Sequence, residues 1–242
     1  LGIGICEMKW AEDYVRIVKQ GFEEFRKEHD DLAENEAREI FNYDEKLAKA
    51  NPAIDYRNKG AELLVWLNAS PFHAGKVQKI DMINKARVKE TGLPLIDVNF
   101  VGIGDNVYDL FGFSGESGIM DIDGKYVAVT KAWDTQSCVS KINLKNGQAK
   151  RISGYEKRDF NGQDFARSYV DQIIDALVNI SGRYVKQTPC NYVFESMSGG
   201  IDSSVGTAIA VMAKDKGFFN DVYAWTFPTQ FNSETTKGVA YK

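Results

Sequence analysis

The sequence contains few of the residues that build metal centres and disulfide frameworks. Its 242 residues include two histidines and three widely spaced cysteines, Cys6, Cys138 and Cys190. An odd number of scattered cysteines without metal-ligand spacing argues against a zinc site and against a disulfide scaffold. The same pattern indicates a reducing, cytoplasmic setting.

Long apolar runs and an excess of basic charge are also missing. No apolar stretch approaches the roughly 18 residues needed to span a bilayer, and no secretory signal peptide is visible. The formal net charge is −4, so no overall basic field attracts nucleic acid. We therefore expect neither a membrane nor a nucleic acid as partner.

What the sequence does contain suits a globular protein with a real core. Hydrophobic residues make up 43%, and 242 residues suffice for one large or two ordinary domains. The chain begins at Leu1 inside an apolar run and stops at Lys242. We expect it to be an internal part of a longer protein.

The most informative stretch is Ser-Gly-Gly-Ile-Asp-Ser at residues 198–203, which we call the glycine loop. It follows an apolar run at 192–194 that predicts a strand, and it precedes a helical pattern at 205–213. Free backbone N–H groups and the positive end of a helix dipole meet at such a turn, so it can bind an anion.

The residue types in the glycine loop suit a pyrophosphate. Gly199 and Gly200 lack the Cβ atoms that would keep the backbone away from it. Ser198, Ser203 and Ser204 add hydroxyl groups, and Ser203 or Ser204 could cap the helix. The stretch matches neither the Walker pattern nor the dinucleotide G-x-G-x-x-G pattern, and an ordinary glycine turn that caps a helix is the alternative.

In this order of strand, loop and helix, Ser-Gly-Gly-x-Asp-Ser resembles the pyrophosphate loop of the N-type ATP pyrophosphatases. That family adenylates a carboxyl or amide-like oxygen, releases pyrophosphate and lets a nucleophile displace AMP. The resemblance implies that ATP, with Mg²⁺, binds at Ser198, Gly199, Gly200, Asp202 and Ser203. Asp202 could assist Mg²⁺ or pyrophosphate geometry, or it could be structural, and the metal ligands themselves remain unknown.

A second motif lies near the start of the chain. Gly4-Ile5-Cys6-Glu7 ends a predicted strand, Trp10 follows, and residues 61–76 read Ala-Glu-Leu-Leu-Val-Trp-Leu-Asn-Ala-Ser-Pro-Phe-His-Ala-Gly-Lys. This combination resembles the nitrilase-type amidases, and most closely the glutaminase half of the glutamine-dependent NAD synthetase family. Without that context, a cysteine at a strand end is more often a small buried hydrophobe.

The resemblance implies an amidase site. Cys6 is the nucleophile that attacks the side-chain amide of glutamine, releases ammonia and forms a thioester that water hydrolyses. Ser70 and Lys76 hold the α-amino and α-carboxylate ends of that glutamine. Ser70 could instead be a turn residue before Pro71 and Lys76 a solvated surface charge, whereas His73 is not expected to be catalytic.

The glycine loop fits the same family, whose synthetase half continues into a strand with a Pro-Ser-x-Tyr-Ser-Ser-Glu end. Here residues 228–234 read Pro-Thr-Gln-Phe-Asn-Ser-Glu, which places Pro228 and Ser233 near the ATP. The resemblance implies that ATP bound at the glycine loop activates the carboxylate of nicotinic acid adenine dinucleotide as an adenylate. Ammonia that has travelled inside the protein then displaces AMP to give NAD.

The chain departs from the family pattern in several places. Met8 stands where Asp usually follows Cys-Glu, and Gln230 stands where arginine is common. About forty extra residues, many of them charged, separate Trp10 from residue 61. The family's catalytic glutamate and lysine precede the cysteine, and its acidic metal ligands and most of the dinucleotide site follow the glycine loop. We therefore expect this chain alone to be inactive, and the complete protein to form a homo-oligomer.

Two other functions stay open. One is another amidoligase with the same ATP loop, such as a GMP or asparagine synthetase, although the former uses a cysteine–histidine–glutamate triad. The other is a degenerate ATP-binding relative whose charged segment, residues 11–49, serves as a binding module. ATP binding without turnover would distinguish the second from an enzyme.

The predicted fold is α/β: a partial nitrilase-type αββα sandwich, then the beginning of a Rossmann-like adenine nucleotide α-hydrolase domain. The predicted domains are 1–135 for the amidohydrolase part, 136–164 for a linker and 165–242 for the ATP pyrophosphatase part. Strands are predicted at 1–6, 61–68, 95–101 and 222–227, with a hairpin at 117–129 turning at Asp123-Gly124. Helices are predicted at 77–91 and 165–184, and one or two surface helices at 11–49.

Overall fold

The computed structural model describes residues 1–5, 22–40, 51–105, 109–153, 169–227 and 238. The strands are β1 (Gly2–Ile5), β2 (Leu64–Asn68), β3 (Leu95–Asn99), β4 (Val101–Asp105), β5 (Leu110–Ser114), β6 (Gly118–Met120), β7 (Tyr126–Val129), β8 (Val139–Ile142), β9 (Ala149–Ser153), β10 (Tyr192–Ser196) and β11 (Asp221–Trp225). The helices are α1 (Glu34–Ile40), α2 (Pro52–Asn58), α3 (Lys76–Thr91), α4 (Tyr169–Lys186) and α5 (Ile201–Asp215), and residues 22–28 are also helical.

The largest sheet has the strand order β1-β2-β3-β6-β7. Its first three strands are parallel, and β6 and β7 extend it by antiparallel pairing. The hairpin turn has Gly124 at φ 72°, and Asp121 N donates to Lys125 O at 2.9 Å. The strand predicted at 1–6 is confirmed over its described residues as β1, the strand predicted at 61–68 is confirmed as the shorter β2, and the hairpin with its Asp123-Gly124 turn is confirmed.

One face of this sheet packs on α2 and α3. Alternate strand residues point to one side, and the buried core there joins Ala53 of α2 and Val88 of α3 to Leu64, Trp66, Leu95 and Met120 of the sheet. Helix α3 ends as predicted, because Gly92 adopts the left-handed conformation at φ 63° and Pro94 follows. The two helices thereby cover one face of β2 and β3.

The opposite face of the same sheet is apolar and exposed in the described part of the chain. Ile3 and Ile5 of β1, Leu67 of β2 and Val98 of β3 are between 43% and 65% exposed. Sheets that are apolar on both faces pack between two layers. This face therefore suits the central layer of an αββα sandwich.

Gly4 makes the closest approach in this sheet. A methyl group added there would lie 1.8 Å from the ring of Trp66, which is fully buried. Gly4→Ala is expected to lower the free energy of unfolding by about 1–3 kcal/mol, because the ring has no room to retreat. Urea denaturation of the chain, compared with Ile3→Ala on the exposed face, measures this. If the two variants lost equal amounts of unfolding free energy, the Trp66 ring would have moved aside to make room for the methyl group.

The structure differs from the sequence prediction in two segments. The strand predicted at 95–101 is two strands, β3 and β4, which are interrupted at Phe100. The segment expected as an irregular linker contains the β8–β9 hairpin, whose turn has Gly147 at φ 68° and a bond from Asn143 N to Gln148 O at 2.9 Å. Gly147 O also accepts from Ile122 N at 3.0 Å, so this hairpin packs on the β6–β7 turn. The proposed domain boundaries remain a prediction.

The last part of the described chain is a β-α-β unit with α4 beside it. β10 and β11 are parallel neighbours joined through α5, as predicted. Val178 of α4, Ala210 and Ala213 of α5 and Phe219 form its buried core. Helix α4 also packs against the β4–β5 hairpin, where Gly112 leaves room for Ile180.

The charged segment between Trp10 and residue 61 is helical at 22–28 and in α1, which confirms surface helices in its described part. Glu34 and Arg38 of α1 form an i,i+4 ion pair at 2.8 Å on the exposed side. None of the helices in the described residues is both long and apolar enough to cross a membrane.

Candidate functional site

The glycine loop connects the carboxyl end of β10 to the first residue of α5. Gly199 has φ +81°, a backbone conformation in which a residue with a Cβ atom would be strained. Gly200 occupies the N-cap position of α5, at φ −89° and ψ 163°. The loop begins beside β11, because Met197 N donates to Trp225 O at 2.7 Å. Strand, loop and helix therefore have the predicted order and the geometry of an anion-binding turn.

Hydroxyl groups organise the loop from inside. Ser203 Oγ donates to Gly200 O at 3.0 Å and accepts from Ser198 N at 3.3 Å, while Ser198 Oγ accepts from Gly200 N at 3.3 Å. Ser204 Oγ donates to Gly200 O at 3.0 Å. The prediction that Ser203 or Ser204 caps the helix is wrong: both hydroxyls bond a carbonyl, and Gly200 is the N-cap.

The loop is open to a ligand. Ser198, Gly200 and Asp202 are exposed, and Ile201 is 75% exposed. The first-turn N–H groups of a helix have no intrahelical acceptor. Two more loop amides, Ser198 N and Gly200 N, make long bonds to serine oxygens that a phosphate oxygen could replace. The structure places residues 198–203 in an exposed turn at the N-terminus of α5, and the binding of a pyrophosphate there stays a prediction.

A second polar cluster lies at the carboxyl edge of the five-stranded sheet. Asn68 and Asn99, the last residues of β2 and β3, are direct neighbours. Ser117 meets the same edge, because its Oγ accepts from Asn99 N at 2.9 Å and its N donates to Thr130 Oγ1 at 2.8 Å. β1 ends at this edge with Ile5, one residue before Cys6. The edge thus gathers polar side chains beside the strand end that precedes Cys6.

A buried network of side-chain hydrogen bonds connects this edge of the sheet to α3 and β7. Asn68 Nδ2 donates to Asp97 Oδ1 at 2.5 Å, and Asn84 Nδ2 of α3 donates to Asp97 Oδ2 at 3.0 Å and to the Tyr126 hydroxyl at 3.2 Å. Asp97 and Asn84 are each 1% exposed. Burial raises the pKa of Tyr126 far above its usual value, so its phenol stays protonated and can serve as a partner. The network orients Asn68 at the start of the next segment.

That segment, residues 69–75, joins β2 to α3, and we call it the Ser70 loop. Ser70 is half-buried. Phe72 N donates to Gly112 O of β5 at 2.7 Å, and Gly75 N donates to the Gln172 side chain of α4 at 2.9 Å. The Ser70 loop is therefore held by hydrogen bonds to β5 and to α4.

Lys76 corrects one of the sequence interpretations. It is only 7% exposed, and its ammonium group donates to the carbonyl of Pro71. The alternative of a solvated surface charge is therefore wrong. Lys76 lies at the first position of α3 and ties the two ends of the Ser70 loop together, and the role of Ser70 and Lys76 toward a substrate stays a prediction.

Glu116 is a carboxylate at this edge that the sequence interpretation did not identify. It precedes Ser117, has φ +61°, and accepts a bond from Ser114 Oγ at 2.8 Å. Non-glycine residues rarely adopt this backbone conformation, which clusters at functional sites. The Ser-Gly-Glu-Ser sequence carries no signal for it, because the position depends on the pairing of β6 with β3.

Three of the predicted site residues, Cys6, Pro228 and Ser233, lie outside the described residues. Within the described residues, no group of three or more His, Cys, Asp or Glu side chains could hold a metal ion. The described cysteines are free: Cys190 is exposed, and burial raises the pKa of the half-buried Cys138 thiol.

Comparison with known proteins gives consistent relatives, although no family model matches the chain. Glutamine-dependent NAD(+) synthetases are 27% identical over 190 residues in Synechocystis sp. and 30% identical over 199 residues in Aquifex aeolicus. The matches cover 78% and 72% of this chain, but 31% and 34% of those proteins. The Rhodobacter capsulatus enzyme is 30% identical over 176 residues, 72% of this chain and 29% of its own length.

A solved structure shows the same fold. The glutamine-dependent NAD+ synthetase of Acinetobacter baumannii, solved in complex with ADP, superposes with a TM-score of 0.65 at 22% identity and covers 81% of this chain and 34% of its own. The predicted fold class, a partial nitrilase-type sandwich followed by the beginning of a Rossmann-like nucleotide domain, is confirmed. The chain spans about a third of the length of its curated relatives, and within that span it is related to the glutamine-dependent NAD(+) synthetases.

Proposed function

We propose that this chain supplies the amidase nucleophile and the ATP loop of a glutamine-dependent NAD synthesis. The observation that carries the proposal is that one chain contains both a polar carboxyl edge of the five-stranded sheet and the glycine loop. The carboxyl edge of the five-stranded sheet precedes the glycine loop at the carboxyl end of β10. The sequence similarity to NAD(+) synthetases spans about three quarters of the chain, which supports a shared activity.

In the amidase reaction, the Cys6 thiolate forms a bond to the side-chain carbonyl carbon of glutamine. The C–N bond breaks, the nitrogen takes up a proton and leaves as ammonia, and a thioester remains. Water then cleaves the thioester, which gives glutamate and restores the thiol. Ser70 contacts the amino-acid end of glutamine, and Lys76 contributes by holding the Ser70 loop closed through Pro71.

In the synthetase reaction, the carboxylate of nicotinic acid adenine dinucleotide attacks the α-phosphorus of ATP, and pyrophosphate leaves. Ammonia attacks the resulting acyl adenylate, and AMP leaves with the formation of the NAD amide. The N–H groups and hydroxyls of the glycine loop bind the pyrophosphate part, and we expect Pro228 and Ser233, which lie outside the described residues, to contact the nucleoside. Mg²⁺ would neutralise phosphate charge when bound with ATP. The ADP in the Acinetobacter baumannii structure supports nucleotide binding in this fold.

The chain alone is expected to hydrolyse no glutamine and to form no NAD. It spans about a third of the length of its relatives, so much of each site would have to come from other residues. Glutamate release by the purified 242-residue chain is the measurement. Release that Cys6→Ala abolishes would contradict this prediction.

The proposed function itself is tested on the complete product of the gene that encodes this chain. With ATP, nicotinic acid adenine dinucleotide and ammonia, the products should be AMP, pyrophosphate and NAD. ADP and phosphate instead would exclude an adenylate and overturn the proposal.

A non-catalytic ATP-binding relative is the second candidate. Met8 favours it, because it replaces the Asp that usually follows Cys-Glu in the family. ATP binding without release of AMP by the complete gene product would select this candidate.

A further inference from the structure

Gln172 connects two parts of the chain that are far apart in sequence. It lies in the first turn of α4, is 1% exposed, and its Oε1 accepts from Gly75 N at 2.9 Å. Gly75 is the N-cap of α3 and the last residue of the Ser70 loop. A helix beside the glycine-loop unit thus binds the backbone of the proposed glutamine loop.

The Gln172 acceptor holds one side of this loop, and other contacts hold the opposite side. Phe72 N donates to Gly112 O on the opposite side, the Phe72 ring packs on Trp133 with centroids 5.5 Å apart, and Lys76 bonds Pro71. Gly75 has φ +80°, so its backbone turns sharply just before α3. Without the Gln172 acceptor, the C-terminal half of the loop would lose this side-chain bond, and the half-buried Gly75 N–H would lose its partner.

Helix α4 is itself fixed by packing against the β4–β5 hairpin on one side and α5 on the other. Arg183 donates to the carbonyl of Trp133, and Ile180 packs over Gly112. On its other side, Gly182 makes room for Phe218 next to the core shared with α5. The position of Gln172 relative to the Ser70 loop is therefore fixed by packing rather than by a flexible tether.

We infer that Gln172 is a positioning residue for glutamine: it sets the conformation of the Ser70 loop from the nucleotide-binding half. The inference rests on the proposed function, in which Ser70 contacts glutamine. Gln172 itself does not touch the reacting atoms. Its loss should weaken glutamine binding and leave the ammonia-fed synthesis of NAD unchanged.

The test compares Gln172→Met, which keeps the length of the side chain but lacks an acceptor, with Gln172→Glu, which keeps an acceptor oxygen. In the complete gene product, Gln172→Met should raise the KM for glutamine about tenfold, the effect of one lost hydrogen bond. Ammonia-dependent kcat should not change, and Gln172→Glu should lie closer to the original protein. Gln187→Met, an exposed site just beyond α4, is the matched control.

Hydrogen exchange gives a readout that does not depend on activity. In Gln172→Met the Gly75 amide should exchange faster, while β2 and β10 keep their protection. An unchanged Gly75 amide, an unchanged KM, or equal loss of the glutamine- and ammonia-dependent rates would each overturn the inference. If the unsubstituted protein hydrolysed no glutamine, the proposed function would be wrong. Hydrogen exchange at Gly75 would still test the contact between Gln172 and Gly75.

Discussion

Cys6→Ala is expected to abolish NAD formation from glutamine and to leave NAD formation from ammonia nearly unchanged. The thiolate is the proposed nucleophile, and the methyl group of alanine cannot form the thioester. Removal of a catalytic nucleophile lowers kcat by about 10³-fold or more. Ammonia added to the solution bypasses the amidase step, so the synthetase reaction keeps its substrate.

The measurement is the rate of NAD formation by the complete gene product with each nitrogen source. Cys190→Ala is the matched control, because it removes an exposed free thiol elsewhere in the chain. Cys138→Ala extends the control to a half-buried thiol whose pKa burial raises. Full glutamine-dependent activity in Cys6→Ala would show that another group attacks the amide.

Gly200→Ala is expected to weaken ATP binding by about ten- to a hundredfold without destabilising the fold. The backbone of Gly200, at φ −89° and ψ 163°, suits alanine, and the nearest atom to the new methyl group is Ser198 Oγ at 3.4 Å. The methyl group would project from an exposed N-cap, where the phosphate is proposed to approach. The loss of one charge-assisted hydrogen bond to the phosphate would weaken the ATP affinity by about this factor.

Gly206→Ala in the same helix is the control for this substitution. The nearest atom to its added methyl group is Glu195 Oε2 at 3.9 Å, and alanine favours the interior of a helix by about 0.5–1 kcal/mol. Both variants should therefore unfold no more easily than the original chain. Isothermal titration with ATP separates them, and equal affinities would show that the phosphate does not approach Gly200.

Local signals in the sequence predicted the parts of the fold that local chemistry determines. Gly92 and Pro94 mark the end of α3, and Asp123-Gly124 marks the hairpin turn, because these residues suit the backbone angles required there. The glycine loop was predictable for the same reason, since a strand, two glycines and a helix follow one another directly.

The β8–β9 hairpin was not predicted from the sequence, where this segment was expected to be an irregular linker. Asn146-Gly147 is a turn signal, but the flanking strands are short and polar and lack a clear alternating pattern. They are stabilised by pairing with each other and by packing on the β6–β7 turn, which no single segment reveals. The break at Phe100 likewise reflects the pairing of β4 with β5 instead of with the main sheet.

For Lys76, the sequence named a substrate contact and left a surface charge open, and only the fold shows that its side chain is buried and bonds Pro71. The polar residues that the sequence did not single out depend on contacts between distant segments. Gln172 is one polar residue in an amphipathic helix, and only the packing of α4 brings it to Gly75. Glu116 reaches the sheet edge through the register of β6 against β3.

The measurement that tests the central claim most directly follows the amide nitrogen of glutamine. The complete gene product is supplied with ATP, nicotinic acid adenine dinucleotide and glutamine whose amide nitrogen carries the heavy isotope, and the NAD is weighed by mass spectrometry. We predict NAD that carries the label, formed together with AMP and pyrophosphate. Unlabelled NAD, or ATP consumed without any NAD, would contradict the account.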